Sequence, residues 1–136
     1  MEKTILNFAK QFEFRLKVQS AEKLKPAENI IVVGMGGSAF PAEILKTAHP
    51  ELNITNHRSY DLPHLTSNIQ RQTLVITSSY SGTTEETLSS FEKAIKQKLN
   101  LTAVTMGGKL LALAKKYKVP YIQIPDTKIQ PRMSTG

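Results

Sequence analysis

Short apolar runs alternate with amphipathic stretches along most of this chain, and several of the runs end in polar or glycine-rich turns. The runs at residues 29–34, 73–77 and 101–105 show little polar alternation and are rich in β-branched residues. This composition is typical of strands that are buried on both faces of a sheet. Helical spacing of apolar residues follows each of these turns. Repeated strand–turn–helix units predict an α/β fold, a doubly wound parallel sheet with right-handed crossovers.

Two further runs complete a predicted sheet of five strands. The run at residues 52–56 contains polar residues and is expected near an edge. The run at residues 119–124 contains Pro120, which also favours an edge because proline cannot donate a hydrogen bond to a neighbouring strand. The predicted helices between the strands cover residues 39–47, a stretch that ends near residue 98, and residues 109–117.

The N-terminal residues stand outside this alternation. Ile5, Phe8, Phe12 and Leu16 recur at helical spacing, which predicts an amphipathic helix over residues 3–24. Pro26 ends it. We therefore expect an N-terminal helical appendage at residues 1–28, followed by one α/β domain at residues 29–136.

The composition excludes several classes of protein. Hydrophobic residues make up 40% of the 136 residues and charged residues 21%, which is ordinary for a globular domain. Cysteine is absent, so a disulfide framework and a cysteine-ligated metal site are both excluded. No apolar run approaches the ~20 residues of a membrane span, and the first residues lack the pattern of a signal peptide. We expect a cytoplasmic protein that does not bind membranes.

The net charge of +7 is unevenly distributed along the sequence. Residues 92–136 hold nine bases and two acids, which accounts for the whole excess. Two lysine trios fall at the ends of predicted helices, where cations complement the negative end of the helix dipole. Nucleic-acid binding is the weaker alternative and is not expected, because the chain has only four arginines and no tryptophan to interleave with them.

Two turns contain the residue types that bind anions. The turn at residues 34–39 is glycine-rich and precedes a predicted helix, so its backbone can approach an anion and the helix can offer free N–H groups. The alternative is a tight turn that binds nothing. The turn at residues 78–84 holds five serine and threonine hydroxyls at the start of another helix. Its alternative is an N-terminal capping box formed by Thr83 and Glu86, which needs only one hydroxyl.

The sequence leaves more than one anion open. Gly34-x-Gly36-x-x-Ala39 fits a dinucleotide-binding turn, and Arg58 follows the second strand of the parallel sheet, where the 2′-phosphate of NADP could be bound. No acidic residue closes that strand, and a dinucleotide leaves the serine-rich turn unexplained. A P-loop is excluded because no Gly-Lys-Ser/Thr follows the glycines. A phosphorylated small molecule is the better prediction.

Three segments carry a family resemblance: residues 34–39 (Gly-Met-Gly-Gly-Ser-Ala), residues 79–87 (Ser-Tyr-Ser-Gly-Thr-Thr-Glu-Glu-Thr) and Pro131-Arg132. They resemble the sugar isomerase (SIS) domain, and more narrowly the N-terminal half of bifunctional phosphoglucose/phosphomannose isomerases. The resemblance runs from about residue 30 to the end of the sequence. It implies a sheet in the order 2-1-3-4-5, two SIS domains in a complete family member, and usually a homodimer.

The resemblance also implies a reaction and roles for individual residues. The reaction is aldose–ketose interconversion of glucose 6-phosphate or mannose 6-phosphate with fructose 6-phosphate, through an enediolate and without a metal or redox cofactor. Arg132 would be catalytic and stabilise the enediolate. The residues that would bind the hexose 6-phosphate, with the two glycines allowing its close approach, are Gly36, Gly37, Ser38, Ser79, Ser81 and Thr84.

The sequence departs from the family in places. Thr83 stands where the family often has Asn, and Ala42-Glu43 where it often has Gly-Asp. The family's glutamate base and ring-opening histidine lie in a second SIS domain that this sequence lacks. We therefore expect a truncated segment that is inactive by itself and needs the missing domain as its partner.

Other residues are weaker candidates for the missing base. Glu85 and Glu86 flank the serine-rich turn, but acids in the first turn of a helix keep a low pKa and are poor bases. The three histidines lack a visible carboxylate partner and are more typical of surface or loop positions: His49, His57 and His64. Two other functions stay open, a stand-alone SIS module that senses a phosphosugar and, more weakly, an NADP-dependent enzyme.

Overall fold

The computed structural model describes residues 15–126. In chain order the elements are β1 (Val18–Gln19), a 3-10 helix (Ala21–Lys23), β2 (Asn29–Val33), a second 3-10 helix (Gly36–Ala39), α1 (Phe40–Ala48), β3 (Asn53–His57), α2 (Ser67–Arg71), β4 (Thr73–Ser78), α3 (Glu85–Lys96), β5 (Asn100–Thr105), α4 (Gly108–Lys116) and β6 (Tyr121–Gln123). The predicted strands and the three longer helices are all present, with ends that differ by a few residues.

The strands form one sheet in the order β1-β6-β5-β4-β2-β3. The last five in the chain, β2 to β6, run parallel, and in their own chain order they follow 2-1-3-4-5. The predicted doubly wound parallel sheet is therefore confirmed. The strand order reverses between β2 and β4, where Val33 lies opposite Thr77.

Helices cover the sheet on both faces. Alternate residues of a strand point to opposite faces, so Val33 and Val75 belong to one face and Val32 to the other. Phe91 of α3 and Leu110 of α4 are fully buried with Val33 and Val75 in the larger core. Ala42 of α1 packs with Val32 and Ile54 in a smaller core on the opposite face.

The start of the described chain corrects two expectations. The helix predicted over residues 3–24 is wrong for residues 15–24, which form β1 and a single turn of 3-10 helix; residues 3–14 lie outside the described residues. β1 pairs antiparallel with β6, and Val18 lies opposite Ile122. The last parallel strand is therefore not an edge, although it begins just after Pro120. The domain boundary at residue 28 stays a prediction.

The second edge of the sheet agrees with the prediction, whereas one short helix was not predicted. β3 is the outer strand on its side of the sheet, as its polar residues predicted. The segment between β3 and β4 contains the five-residue helix α2, where a loop was expected. Across residues 15–126, no helix is both long and apolar enough to cross a membrane.

Candidate functional site

The glycine-rich and serine-rich turns meet at the carboxyl edge of the sheet. They follow β2 and β4, which are paired neighbours at the reversal of strand order. The backbone N–H of Tyr80 in the serine-rich turn donates a hydrogen bond to Ser38 Oγ in the glycine-rich turn, over 3.2 Å. The crevice outside the carboxyl ends at such a reversal is where open α/β sheets bind their ligands.

Ser79 is built into the serine-rich turn. Its side chain is buried, with 2% of the residue surface exposed. Ser79 Oγ accepts a hydrogen bond from the Gly82 N–H at 3.1 Å and shares another with Thr84 Oγ1 at 2.9 Å. These bonds close the turn and hold the Thr84 side chain against it.

Ser81 lies on the outside of the same turn and is exposed. Its Oγ shares a hydrogen bond with Thr83 Oγ1 at 3.0 Å and accepts one from the Thr83 N–H at 3.3 Å. Among residues 15–126, the Ser81 hydroxyl therefore has partners only within its own turn. A ligand at the carboxyl edge could replace the hydroxyl bond to Thr83 without unfolding anything.

The α3 N-terminus has no side-chain cap. The N-cap residue is Thr84, with extended backbone angles, and it forms no capping hydrogen bond because its hydroxyl is bonded to Ser79. The alternative of a capping box formed by Thr83 and Glu86 is therefore wrong. The first N–H groups of a twelve-residue helix remain open to another acceptor, and the helix dipole favours an anion there.

Close glycine contacts fix the position of the serine-rich turn. Gly82 has φ 70°, and a Cβ atom at this residue would overlap the carbonyl oxygen of Gly107. Gly108 has φ 65°, and its Cβ would overlap the carbonyl oxygen of Ser81. The Leu110 N–H at the start of α4 also donates to the Gly82 carbonyl at 2.9 Å. The loops after β4 and β5 therefore form one packed unit.

The glycine-rich turn combines a close approach with open space. A Cβ at Gly34 would lie 3.0 Å from the Ser38 carbonyl oxygen and 3.1 Å from that of Ser78, so this glycine is where the two turns meet. Gly36 has φ 54°, and a Cβ there would have no atom within 4 Å. Gly36 and Gly37 are both exposed. This is the geometry that the predicted close approach of a phosphate requires.

A cleft of about 170 Å³ lies beside the meeting point of the turns. Its walls include Ser38, Ser78 and Tyr80 at the carboxyl edge and Ile124 just after β6. The Tyr80 hydroxyl is buried and has no hydrogen-bond partner among the described residues. Tyr80 was missed as a site residue by sequence reasoning, which had only its place between two serines as a signal.

Acidic side chains flank the uncapped helix. Tyr60 Oη donates a hydrogen bond to Glu85 Oε2 at 3.2 Å. This bond, followed by the negative charges of Glu86 and Glu85, raises the pKa of Tyr60 above its usual value. Glu85 is therefore already engaged by a neighbouring side chain and is poorly placed to act as a free base.

Arg58 and the histidines lie elsewhere. Arg58 forms an ion pair with Glu43 at 3.1 Å, and Asn56 also donates to that carboxylate, so the arginine proposed for an NADP phosphate already has a partner.

His49 contacts Glu51 at 3.0 Å, which corrects the expectation that no histidine has a carboxylate partner. His57 Nε2 lies 3.4 Å from the Tyr60 carbonyl. Within residues 15–126 no three His, Asp or Glu side chains cluster as metal ligands would.

The structure brings Gly36, Gly37, Ser38, Ser79, Ser81 and Thr84 to one edge of the sheet, on two turns joined by a hydrogen bond. Arg132, predicted to be catalytic, lies outside the described residues, and its role stays a prediction. His64 is exposed. Sequence reasoning also missed Gly82, Gly107 and Gly108, whose close contacts pack the loops after β4 and β5 together.

The chain is a relative of bifunctional phosphoglucose/phosphomannose isomerases, and it shares its fold with solved sugar isomerase (SIS) domain proteins. No protein-family model matches it. Among curated proteins it is similar to bifunctional phosphoglucose/phosphomannose isomerases, with 34% identity over 93% of the chain to that of Caldicellulosiruptor bescii and 36% over 98% to that of Aquifex aeolicus. It is also 34% identical, over 76% of its length, to D-glucosamine-6-phosphate 4-epimerase of Sulfolobus acidocaldarius.

The chain spans only part of these relatives: 37%, 41% and 32% of their respective lengths. Solved structures share the fold. A provisionally assigned sugar-phosphate isomerase of Listeria monocytogenes matches 96% of this chain and 72% of its own, with a TM-score of 0.68 and 21% identity. Vibrio vulnificus NanR complexed with ManNAc-6P matches 92% and 50%, with a TM-score of 0.58 and 13% identity. The sugar isomerase domain of RpiR transcription factor from Sphaerobacter thermophilus matches 78% and 63%, with a TM-score of 0.51 and 20% identity.

Proposed function

We propose that this chain binds the phosphate group of a hexose 6-phosphate and is the phosphate-binding half of an aldose–ketose isomerase. The observation that carries the proposal is the hydrogen bond between the Tyr80 N–H and Ser38 Oγ, because it joins two anion-binding turns beside the uncapped α3 N-terminus. The names of the curated relatives support a phosphorylated hexose as the ligand, since they include phosphoglucose, phosphomannose and D-glucosamine 6-phosphate.

The hydroxyl groups at the site keep protons for a ligand. Ser38 Oγ accepts from Tyr80, which leaves its O–H free to donate. Ser79 and Thr84 share one hydrogen bond, so whichever hydroxyl donates in the pair, the other still has an O–H to offer. Ser81 and Thr83 form an equivalent pair on the exposed side. With the α3 N–H groups, these donors match the several acceptor oxygens of a phosphate.

The phosphate site would orient the sugar for proton transfer. In the proposed reaction a base removes the proton from C2 of the aldose, and the negative charge moves to the carbonyl oxygen O1 as the enediolate forms. The hydroxyl proton then passes from O2 to O1, and the base returns its proton to C1, which leaves the carbonyl at C2. A guanidinium beside that oxygen stabilises the charge as it develops. We assign this role to Arg132 and expect the base from a second SIS domain, in a homodimer whose full-length chain uses no metal or redox cofactor.

The direction of β6 makes the role of Arg132 sterically possible. The chain leaves β6 at the carboxyl edge, and Ile124 already lines the cleft. Arg132 lies six positions after Asp126, a reach of up to ~20 Å for an extended chain. β6 and β4 are two strand spacings apart, about 10 Å. An arginine at this position can therefore reach the ends of both anion-binding turns.

Calorimetric titration of the full chain with fructose 6-phosphate tests the proposal, with fructose and inorganic phosphate for comparison. Ser81→Ala is the informative variant because Ser81 is exposed and its loss spares the fold. One hydroxyl bond to a charged phosphate contributes ~1.5–3 kcal/mol, so Ser81→Ala should weaken binding about ten- to a hundredfold. Ser67→Ala, which removes an exposed hydroxyl from α2, is the matched control. Binding that Ser81→Ala leaves unchanged, or no binding of the sugar phosphate at all, would contradict the proposal.

Sensing of a phosphosugar by a non-catalytic SIS module is the second candidate function. It is favoured by the engagement of Glu85 with Tyr60, since this carboxylate beside the serine-rich turn is not free to act as a base. The same fold occurs in NanR, whose solved structure is a complex with ManNAc-6P. A full-length protein that binds fructose 6-phosphate but does not interconvert it with glucose 6-phosphate or mannose 6-phosphate would favour this candidate.

A further inference from the structure

We propose a second anion site at the opposite, amino edge of the sheet, with an oligophosphate as its ligand. A cleft of about 180 Å³ lies there between the carboxyl ends of α3 and α4. Four of its lining residues are Lys23, Lys25, Lys98 and Lys118, and none of the described residues that line it is acidic. We call this the lysine cleft. It is separate from the sugar-phosphate site and goes beyond the function proposed above.

Long-range hydrogen bonds build the lysine cleft. Lys23 Nζ donates to the Lys118 carbonyl at 3.0 Å, across 95 residues of sequence. The Asn100 side chain accepts from the Lys25 N–H at 3.1 Å and donates to the Lys25 carbonyl at 2.8 Å. The segment before β2 is therefore fixed against the ends of both helices. Lys23 still has two ammonium protons for a ligand.

The backbone at two of these lysines is unfavourable. Lys98 has φ 54° and Lys118 has φ 53°, in the left-handed region that favours glycine. Each stands just past a helix end of the same type. The Lys98 N–H donates to Ile95 and the next N–H to Ala94, and the Lys118 N–H donates to Lys115 and the next to Ala114. This is the Schellman motif, in which glycine is the usual residue.

Glycine would form the same backbone bonds at both positions without the steric cost of a side chain. The feature that lysine adds is an ammonium group, and both residues line the same cleft, where their charges also complement the negative ends of the two helix dipoles. Strained non-glycine residues that gather at one place point to a function that needs their side chains. The inferred function is charge recognition.

The surroundings select a multiply charged ligand. The carboxyl ends of α3 and α4 place partial negative charges near the cleft, which oppose any anion, so a ligand must contact several ammonium groups at once to bind. A chain of phosphates carries at least one negative charge per group at neutral pH and can bridge several ammonium groups at once. The floor of the cleft is apolar and includes Leu99 and Val119, which would accommodate the base of a nucleoside triphosphate. Inorganic triphosphate and ATP share the required chemistry.

Titration of the full chain with inorganic triphosphate and with ATP tests the site, with adenosine as the uncharged comparison. The variant is Lys98→Gly/Lys118→Gly, which suits the backbone and should raise the thermal midpoint, so lost binding cannot be attributed to unfolding. Removal of two charged donors should weaken triphosphate binding at least about tenfold. Lys98→Arg/Lys118→Arg should keep most of the affinity, and Lys46→Ala/Lys109→Ala removes the same charge elsewhere as a control.

The outcomes separate this site from the sugar-phosphate site. Affinity for fructose 6-phosphate should be unchanged in Lys98→Gly/Lys118→Gly, and triphosphate affinity should be unchanged in Ser81→Ala. Tighter binding of ATP than of triphosphate would place the base on the apolar floor, whereas equal binding would assign recognition to the phosphates alone. The proposal is overturned if triphosphate does not bind, or if the glycine and Lys46→Ala/Lys109→Ala variants weaken it equally.

Discussion

At the scale of single residues, two serines of the serine-rich turn have different environments and different roles. Ser79 is buried and closes the turn through Gly82 and Thr84. Ser81, two residues later, is exposed and bonds only to Thr83. Gly82 follows Ser81 directly, and its N–H donates to Ser79 Oγ at 3.1 Å. A substitution at this glycine therefore affects both serines.

Gly82→Ala should destabilise the protein by about 2–3 kcal/mol, because the new methyl group overlaps the Gly107 carbonyl and the residue must keep a positive φ. The free energy of unfolding in urea measures the effect. Gly107→Ala is the control, since its φ of −179° is extended and its Cβ would have no atom within 4 Å. That variant should cost less than ~1 kcal/mol. Similar losses in both variants would show that the two loops do not pack as described.

Glu85→Gln should bring the pKa of Tyr60 back toward its ordinary value, since the bond to Glu85 is the main cause of the rise. The raised pKa favours the protonated phenol in the folded state. The resulting stabilisation is present below the pKa of the unfolded state and is lost as the pH rises through the folded value. The absorbance of ionised tyrosine during alkaline titration, compared with Tyr60→Phe, isolates this group. Glu92→Gln on the same helix should leave the curve unchanged.

At the scale of elements, α3 is specialised at both ends. Its N-terminus lacks a side-chain cap because Thr84 is bonded to Ser79, so its N–H groups face the candidate site. Its carboxyl end carries a lysine where a Schellman motif favours glycine. The middle of the helix is conventional, with Leu88, Phe91 and Ala94 buried against the sheet. Both ends give up stability that a different residue would supply.

Lys98→Gly should stabilise the protein by about 0.5–1 kcal/mol, because the left-handed conformation is free of steric cost only in glycine. Lys96→Gly is the matched control, and its expected effect on stability has the opposite sign. It removes the same charge inside the last turn of α3, where glycine should cost about 0.5–1 kcal/mol. Thermal and urea unfolding of the two variants measure the difference. A loss of stability at residue 98 would mean that its backbone is not left-handed.

The elements also show what periodicity can and cannot predict. The runs at 73–77 and 101–105 are unbroken and apolar, and both became central strands within a residue of the predicted ends. Residues 15–24 have a helical pattern, yet Val18 and Gln19 pair with β6, because an open sheet edge offers hydrogen bonds that periodicity does not register. The alternative of a capping box from Thr83 and Glu86 is wrong because the helix begins one residue later than that box requires, with Thr84 as the N-cap.

At the scale of the whole molecule, the order of the strands in the sheet determines where the candidate site lies. That order could be predicted from the family resemblance. Alternating strands and helices alone require a parallel sheet, and the resemblance supplied 2-1-3-4-5. The meeting of the two turns then follows, since β2 and β4 are neighbours. The packing of Gly82 against Gly107 was not predictable from sequence, because it depends on two loops that lie 25 residues apart. The lysine cleft could not be predicted from the sequence either, because its four lysines come from three separate segments.

The short antiparallel strand β1 has a consequence for how the protein is handled and joined to other domains. Because β1 runs opposite to β6, the chain before β1 and the chain after β6 both extend from the edge that carries the serine-rich turn. A tag or a further folded domain joined through residues 1–14 or 127–136 therefore connects to the sheet at the edge that holds the two turns. Tags should be cleaved before affinities for fructose 6-phosphate are measured.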